Sequence, residues 1–202
     1  LKPFWLKGPG EPALSVPSPD ISMSMETSME ELSFVFADRV TVPGWLGIDV
    51  QTEVIAHLLE AKPDKILLIS DEAVDALHGD YFAPLMERGA APGETGSGAL
   101  DAPLPTVEKI NLPQGDASKS WNNLSMLVRW AFEVGATKKS LVVAFGGGAL
   151  MNVVGLFASM LFRGTKLMYV PTTLLAMHDV TTSLKTSICY DGRKNNIGTF
   201  YA

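Results

Sequence analysis

The chain has 202 residues, 47% of them hydrophobic and 19% charged, and 16 Lys and Arg against 22 Asp and Glu give a net charge of −6. That length holds one good core, or one domain and part of another. The acidic balance argues against a nucleic-acid partner, and no apolar run approaches the ~20 residues that cross a bilayer. A single cysteine, Cys189, leaves no intramolecular disulfide, which favours a reducing, cytoplasmic setting.

The first 30 residues carry five prolines and repeated Ser and Met, with little hydrophobic periodicity. We predict a flexible extension over residues 1–30 and a folded domain over residues 31–202. Alternation of apolar residues predicts an edge strand within 31–42, and the segment 45–59 reads as a helix.

The rest of the chain alternates between short apolar runs, typical of buried parallel strands, and amphipathic segments, typical of helices. We predict strands at 65–70, 106–112, 140–145 and 167–170, helices at 73–88, 118–134 and 149–162, and an exposed loop at 89–105. This order predicts an α/β fold, a Rossmann-like parallel sheet with helices on both faces.

Two motifs follow predicted strands, where such sheets bind ligands. Gly146, Gly147 and Gly148 join a strand to a helix, so the backbone could approach a pyrophosphate at the free N–H groups of the helix start. Thr172 and Thr173 follow the next strand with two hydroxyls suited to a cofactor. A tight glycine turn and a capped turn are the alternatives.

Polar residues concentrate near the end of the chain. Asp179, Lys185, Lys194 and Asn195 fall within 17 residues, which favours an anionic small molecule over a solvated loop with scattered charges. Arg163 follows an apolar helix, and its guanidinium suits a carboxylate or phosphate, although it could simply complement the helix dipole. An amide near the start of that helix, Asn152, could hydrogen-bond a hydroxyl.

Taken in order, these motifs resemble the 3-dehydroquinate synthase family of sugar phosphate cyclases. The residues that carry the resemblance are G-G-G-x3-N-x2-G, F-R-G, P-T-T-L-L-A, D-x5-K and K-N-x-I-G-x-F-Y. The match is dense over 140–202 and looser at 70–74 (S-D-E-A-V) and 115–119 (G-D-A-S-K). It covers roughly residues 34–202, the nucleotide-binding N-terminal domain of that family.

The resemblance implies a role for each matching position. NAD would contact Asp71, Asp116, Lys119, Gly147, Gly148, Asn152, Thr172 and Thr173, with Asp179, Lys185 and Lys194 also near the cofactor. The catalytic and substrate-binding residues would be Asp179, Lys185, Lys194, Asn195 and Arg163. Arg163 would reach the substrate from a neighbouring subunit, since these enzymes are typically homodimers.

The resemblance also implies a reaction. A phosphorylated sugar would be transiently oxidised by NAD, lose phosphate and close to a carbocycle by an intramolecular aldol step, which makes the enzyme a carbon–oxygen lyase. The family binds zinc or cobalt through a glutamate and two histidines of a helical C-terminal domain. No residue here matches them, so we expect a truncated chain, inactive alone, with metal ligands beyond residue 202.

Five positions depart from the family pattern: Asp116 stands for Glu, Ala73 for Asn, Asn152 for Asp, and Ser183-Leu184 for Gly-Gly. The last three look more like 2-deoxy-scyllo-inosose synthases, which use glucose 6-phosphate, so the sugar remains open between that and a heptulosonate phosphate.

Two rival functions remain open. An iron-dependent alcohol or glycerol dehydrogenase shares the fold and the glycine turn, but typically has small residues where this chain has Leu174-Leu175-Ala176. A non-catalytic nucleotide-binding relative is the other.

Overall fold

A parallel sheet organises the chain, and the computed structural model describes it over residues 29–36, 40–90 and 104–201. The strands are β1 (Glu30–Phe36), β2 (Val40–Leu46), β3 (Lys65–Asp71), β4 (Thr106–Leu112), β5 (Leu141–Gly146), β6 (Lys166–Pro171), β7 (Lys185–Tyr190) and β8 (Arg193–Phe200). The α-helices are α1 (Gln51–Glu60), α2 (Glu72–His78), α3 (Ala83–Ala90), α4 (Trp121–Glu133) and α5 (Gly148–Met160).

The central sheet has the order β4-β3-β5-β6, and all of its neighbouring strands are parallel. Every residue of β5 and all but the first of β3 are buried, as expected for strands covered on both sides. Side chains alternate between the faces: Leu67 and Ile69 join one core, while Ile66 and Leu68 join the other. The predicted α/β sheet with helices on both faces is therefore confirmed.

Each face of the sheet has its own helical layer. Leu58 of α1, with Phe82 and Leu85 at the start of α3, packs on one face. Leu127 of α4 and much of α5, including Phe157, pack on the other. Eight of the 13 residues of α5 are buried, so this helix is the core of its layer.

The hairpin β7–β8 packs against α5. Gly155 of α5 makes room for it, because a Cβ atom there would lie 2.5 Å from Thr186 Cγ2 and would also strike the Tyr169 hydroxyl. The hairpin turn is formed by Asp191 and Gly192, both with positive φ (52° and 69°). The fold thus carries the last part of the chain across the helix that begins at the triple glycine.

Several boundaries differ from the sequence-based predictions. The predicted single strand at 31–42 is a hairpin of two strands, and its second strand takes Trp45 out of the predicted helix, which begins only at Gln51. The predicted helix 73–88 is two helices, because Gly79 ends α2 and a turn precedes Ala83.

Two predicted segments lie mainly outside the described residues: the extension 1–30, of which only residues 29 and 30 are described, and the loop 89–105. Across the described ranges, no helix is long and apolar enough to cross a membrane.

Candidate functional site

The strand order creates a crevice at the carboxyl edge of the sheet. After β3 the chain adds β4 on one side and then returns to add β5 on the other, so the direction of the sheet switches between β3 and β5. Open α/β sheets bind ligands at such switch points, outside the carboxyl ends of the strands. The strand ends that meet there are Asp71, Gly146 and Pro171, with Gly146 directly paired to Pro171.

The amino end of α5 opens into this crevice. Gly147 is its N-cap, in an extended conformation (φ −86°, ψ 178°), and no side chain caps the helix. The first N–H groups of a helix carry partial positive charge, and α5 is long enough at 13 residues to orient them well. An uncapped, glycine-flanked helix start at a switch point suits a phosphate group.

The three glycines differ in how much space surrounds them. A Cβ atom on Gly146 would lie 2.5 Å from Leu150 Cδ2 and 3.0 Å from Asp71 Oδ2, so this glycine is required by packing. A Cβ atom on Gly147 would make only an ordinary contact, 3.5 Å from Thr173 Cγ2. Gly147 therefore leaves an open position on the crevice side, where a ligand can approach the backbone.

The Thr172 side chain has an unsatisfied hydrogen-bonding group beside the glycine turn. Its backbone N–H donates to the Gly146 carbonyl (2.9 Å), which fixes the residue beside the glycine turn. Its hydroxyl oxygen is buried and has no hydrogen-bond partner among the described residues. A buried unpaired hydroxyl costs about 1–3 kcal/mol, so a ligand that bonds it regains that energy.

Thr172 also lines a cleft of about 1000 Å³ that runs along the open edge of β6. Thr173 differs, because its hydroxyl accepts from the Ala176 N–H (3.2 Å) and so caps the short helix that follows. Thr173 therefore forms the capped turn that was one alternative in the sequence, and the Thr172 hydroxyl is free of such a bond within the described ranges.

Asp71 is buried at the end of β3, with 6% of its surface exposed. Its Oδ1 atom accepts from the N–H groups of Ala73 (3.1 Å) and Val74 (2.9 Å) and caps α2. The other oxygen faces the Gly146 position. Asp71 therefore has a structural role at one oxygen, and Oδ2 alone remains for a ligand.

An ion pair links the segment before α4 to the hairpin β7–β8. Lys194 Nζ lies 3.1 Å from Asp116 Oδ2, and both side chains are largely exposed. The hydrogen bond and charge of Lys194 lower the pKa of Asp116, and Asp116 raises the pKa of Lys194 in return. Both groups are therefore charged near neutral pH, and an anionic ligand must compete with Asp116 for this ammonium.

Lys119 and Asn195 also meet at this junction. Lys119 is 7% exposed, and its ammonium donates to Asn195 Oδ1, which also accepts from the Ser187 hydroxyl (3.2 Å). Ser187 was missed by the sequence reasoning. An Asp-Gly pair favours a two-residue hairpin turn, and pairing across Asp191-Gly192 would have placed Ser187 near Asn195.

Other predicted site residues do not join a contact network. Asp179 lies exposed in a π-helical turn (Ala176–Val180), and Lys185 is exposed at the start of β7. The turn approaches the amino end of α5, because a Cβ atom on Gly148 would lie 3.2 Å from Val180 Cγ2. Asn152 turns its amide back to donate to the Gly148 carbonyl (2.8 Å), so only its oxygen faces outward.

Arg163 lies at the opposite end of the molecule from the glycine turn. It follows α5, roughly 20 Å from Gly148 at 1.5 Å per helical residue, and precedes the amino end of β6. The structure therefore does not bring Arg163 into the crevice of its own chain.

No metal site is visible in the described ranges: they contain no group of three His, Cys, Asp or Glu side chains close enough to hold an ion. This finding does not test the zinc or cobalt centre that the resemblance implies, because its ligands were expected outside these residues.

Sequence comparison shows that this chain is similar to several known proteins. The family model described as 3-dehydroquinate synthase N-terminal matches residues 109–202. A 2-deoxy-scyllo-inosose synthase from Streptomyces paromomycinus is 34% identical over 86% of this chain and 39% of its own length. A 3-dehydroquinate synthase from Alkaliphilus metalliredigens is 36% identical over 70% of this chain and 35% of its own length. The chain thus spans less than half the length of these relatives.

Solved structures agree. A crystal structure of 2-deoxy-scyllo-inosose synthase complexed with carbaglucose-6-phosphate, NAD+ and Co2+ matches with a TM-score of 0.67 and 27% identity, over 85% of this chain and 43% of that one. A glycerol dehydrogenase from Schizosaccharomyces pombe matches with a TM-score of 0.53 at 16% identity, over 75% of this chain and 32% of that one, which shows a shared fold alone.

Proposed function

We propose that this chain, a relative of the 3-dehydroquinate synthase family, provides the NAD-binding part of a sugar phosphate cyclase. The observation that carries the proposal is the unpaired, buried Thr172 hydroxyl beside the uncapped, glycine-flanked start of α5. A relative that is 27% identical has been crystallised with NAD+ and a phosphorylated carbasugar, which supports the same ligands here.

The NAD proposal fits the donors that line the crevice. The pyrophosphate would take the free N–H groups at the start of α5, where Gly147 and Gly148 leave the backbone open. The Thr172 hydroxyl would gain its missing partner, and Thr173 would support the same turn. Asp71 Oδ2 is the nearby carboxylate oxygen not used in capping α2, which suits a ribose hydroxyl.

The substrate would be held by the cations of the hairpin β7–β8. Either Lys185 or Lys194, which lie at opposite ends of the hairpin, can neutralise a phosphate group. Asp179 and the outward oxygen of Asn152 can accept from sugar hydroxyls. Lys194 has to exchange its bond to Asp116 for the ligand. That exchange is feasible, since an exposed, solvent-screened ion pair contributes little to stability.

When bound, NAD would supply reversible hydride transfer, which leaves the cofactor unchanged over a full turnover. The residues of this chain would orient the sugar and hold the departing phosphate through the lysines. Phosphate elimination and intramolecular aldol closure would follow in the same pocket. No step is assigned to a metal, because the described residues do not form a site for one.

We also propose a homodimer, because Arg163 lies too far from its own crevice to touch the substrate there. A second copy could bring this guanidinium to the site.

Calorimetry on the chain tests the proposal in two steps. NAD should bind first, and glucose 6-phosphate or heptulosonate phosphate should then bind only to the NAD-loaded chain, with glucose as the matched ligand that lacks phosphate. Replacing Lys194→Met should weaken binding of the sugar phosphate by about tenfold, the effect of losing one bond to a charged group. Absence of NAD binding would overturn the proposal, and net NADH production with alcohols would favour the dehydrogenase instead.

A further inference from the structure

The hairpin β7–β8 contains an irregularity at the K-N-N sequence of β8. The register of the two strands shifts between Ile188 and Tyr190, and Asn195 adopts a left-handed conformation with φ 53°. Asparagine tolerates this region better than other side chains, yet the conformation still costs energy unless its surroundings hold it. Something must therefore fix this bulge in the folded chain.

Two asparagine side chains of β8 form hydrogen bonds that hold the bulge. The Asn196 side chain accepts from the Tyr190 N–H (2.9 Å) and donates to the Tyr190 carbonyl (3.1 Å), which replaces backbone pairing lost at the register shift. The Asn195 side chain is taken by Lys119 and Ser187 instead. The bulge is consequently anchored by side-chain bonds.

Lys119 supplies the anchor from outside the hairpin. Its backbone carbonyl accepts from the Cys189 N–H (2.9 Å), so the segment before α4 also pairs with β7 directly. Its buried ammonium reaches Asn195, and three residues earlier in the same segment Asp116 holds Lys194. The segment 116–119 thus binds two consecutive residues of the bulge, Lys194 through Asp116 and Asn195 through Lys119.

We infer that Lys119 is a positioning residue that acts through Asn195: its ammonium holds the left-handed bulge in the geometry that presents Lys194 to the anion site. This inference rests on the proposed function for the meaning of that site. This role is separate from the NAD contact that the family resemblance implies for Lys119, because the bond to Asn195 is present in the unliganded chain.

The test uses NMR of the unliganded chain, so it does not depend on NAD binding. Lys119→Met removes the ammonium but keeps the apolar stem, and Lys119→Arg keeps a donor. In Lys119→Met, the backbone amide signals of Lys194, Asn195 and Asn196 should shift, because the bulge loses the bond from Lys119 to Asn195. Lys119→Arg should restore much of the wild-type pattern. Lys185→Met removes an ammonium at the other end of the hairpin and should leave Lys194 unchanged.

A second variant tests whether misfolding, rather than loss of the bond to Asn195, causes the effect of Lys119→Met. Asn195→Gly removes the acceptor while permitting positive φ, and it should reproduce the effect of Lys119→Met on Lys194, with no further change in the double variant. In the ligand assay, Lys119→Met should weaken sugar phosphate binding by about tenfold. Unchanged Lys194 amide signals in Lys119→Met would overturn the inference even if NAD binds. Loss of NAD binding in the wild type with the Lys194 effect intact would overturn only the proposed function.

Discussion

At the scale of single residues, the Pro-Thr-Thr turn shows two neighbouring hydroxyls with different hydrogen bonding. Thr172 and Thr173 are adjacent and chemically identical, yet one hydroxyl caps a backbone N–H and the other is buried without a partner among the described residues. The sequence could identify the pair but could not assign the roles, because the assignment depends on the neighbouring strand end at Gly146.

We predict that Thr172→Val weakens NAD binding by about three- to tenfold without lowering the stability of the free chain. The hydroxyl has no bond to lose in the free chain, while a bond to the ligand contributes about 0.5–1.5 kcal/mol. Calorimetry and thermal unfolding measure the two effects. Thr173→Val is the matched control and should instead destabilise the fold by about 1 kcal/mol, through loss of its cap. Equal NAD affinity in Thr172→Val and the wild type would refute this role.

The ion pair between Asp116 and Lys194 should stabilise the fold only within a defined pH range. Because the pKa of Asp116 is lowered, the stability that its carboxylate contributes is present above pH 3.8, the ordinary pKa. That stability is lost as the pH falls through the lowered pKa. Because the pKa of Lys194 is raised, the stability that its ammonium contributes is present below pH 10.5, the ordinary pKa. That stability is lost as the pH rises through the raised pKa. NMR titration of Asp116→Asn should return the Lys194 pKa towards 10.5. High salt should weaken the same pair, and a Lys194 pKa unaffected by Asp116→Asn would show that the two groups do not interact.

At the scale of elements, α5 has two functions at different glycines. Its start is open to the crevice at Gly147, and its middle is packed against β6 and the hairpin at Gly155. The apolar character of this helix was evident from the sequence. The reason for Gly155 was not, because Tyr169 and Thr186 come from strands that meet the helix only in the folded chain.

We predict opposite outcomes for two alanine substitutions in this helix region. Gly147→Ala should leave the melting temperature nearly unchanged but weaken NAD binding at least tenfold, because the methyl group fits the fold and occupies the ligand's approach. Gly155→Ala should cost about 1–3 kcal/mol of stability, because its methyl group meets Tyr169 and Thr186. Thermal unfolding and calorimetry distinguish them, and Tyr169→Phe should partly relieve the second. If Gly147→Ala unfolded the chain, the open position assigned to it would be wrong.

Element boundaries show which sequence signals were decisive. The four strands of the central sheet were predicted to within one residue at each end, because buried parallel strands are continuous apolar runs. The helix predicted at 73–88 was divided by Gly79, and the hairpin β7–β8 was overlooked although Asp191-Gly192 marks its turn. The strands of that hairpin lack an alternating apolar pattern, so only the turn marked it in the sequence.

At the scale of the whole molecule, the topology gathers the candidate site from distant parts of the chain. Asp71 ends β3, Gly147 follows β5 and Thr172 follows β6, so one sheet edge collects residues separated by about a hundred positions. The α/β pattern predicted this edge in general terms. The bonds within it, such as that from Lys119 to Asn195, depend on side-chain geometry that no spacing rule supplies.

The position of Arg163 gives a prediction at this scale. Arg163→Ala should leave NAD affinity unchanged, because the side chain lies at the other end of α5 from the glycine turn. If a second copy supplies this guanidinium, sugar phosphate binding should weaken in the variant and depend on chain concentration. Calorimetry combined with sedimentation tests both parts. A loss of NAD affinity in Arg163→Ala would contradict the distance argument.

An NMR titration of the chain with NAD is the most direct test of where the cofactor binds. We predict that the largest amide shifts fall at residues 147–150, 172–173 and 71–74, which line the carboxyl edge of the sheet. Shifts confined to the far end of the cleft, around Trp45 and His57, with none at Gly147 and Gly148, would contradict the proposed site.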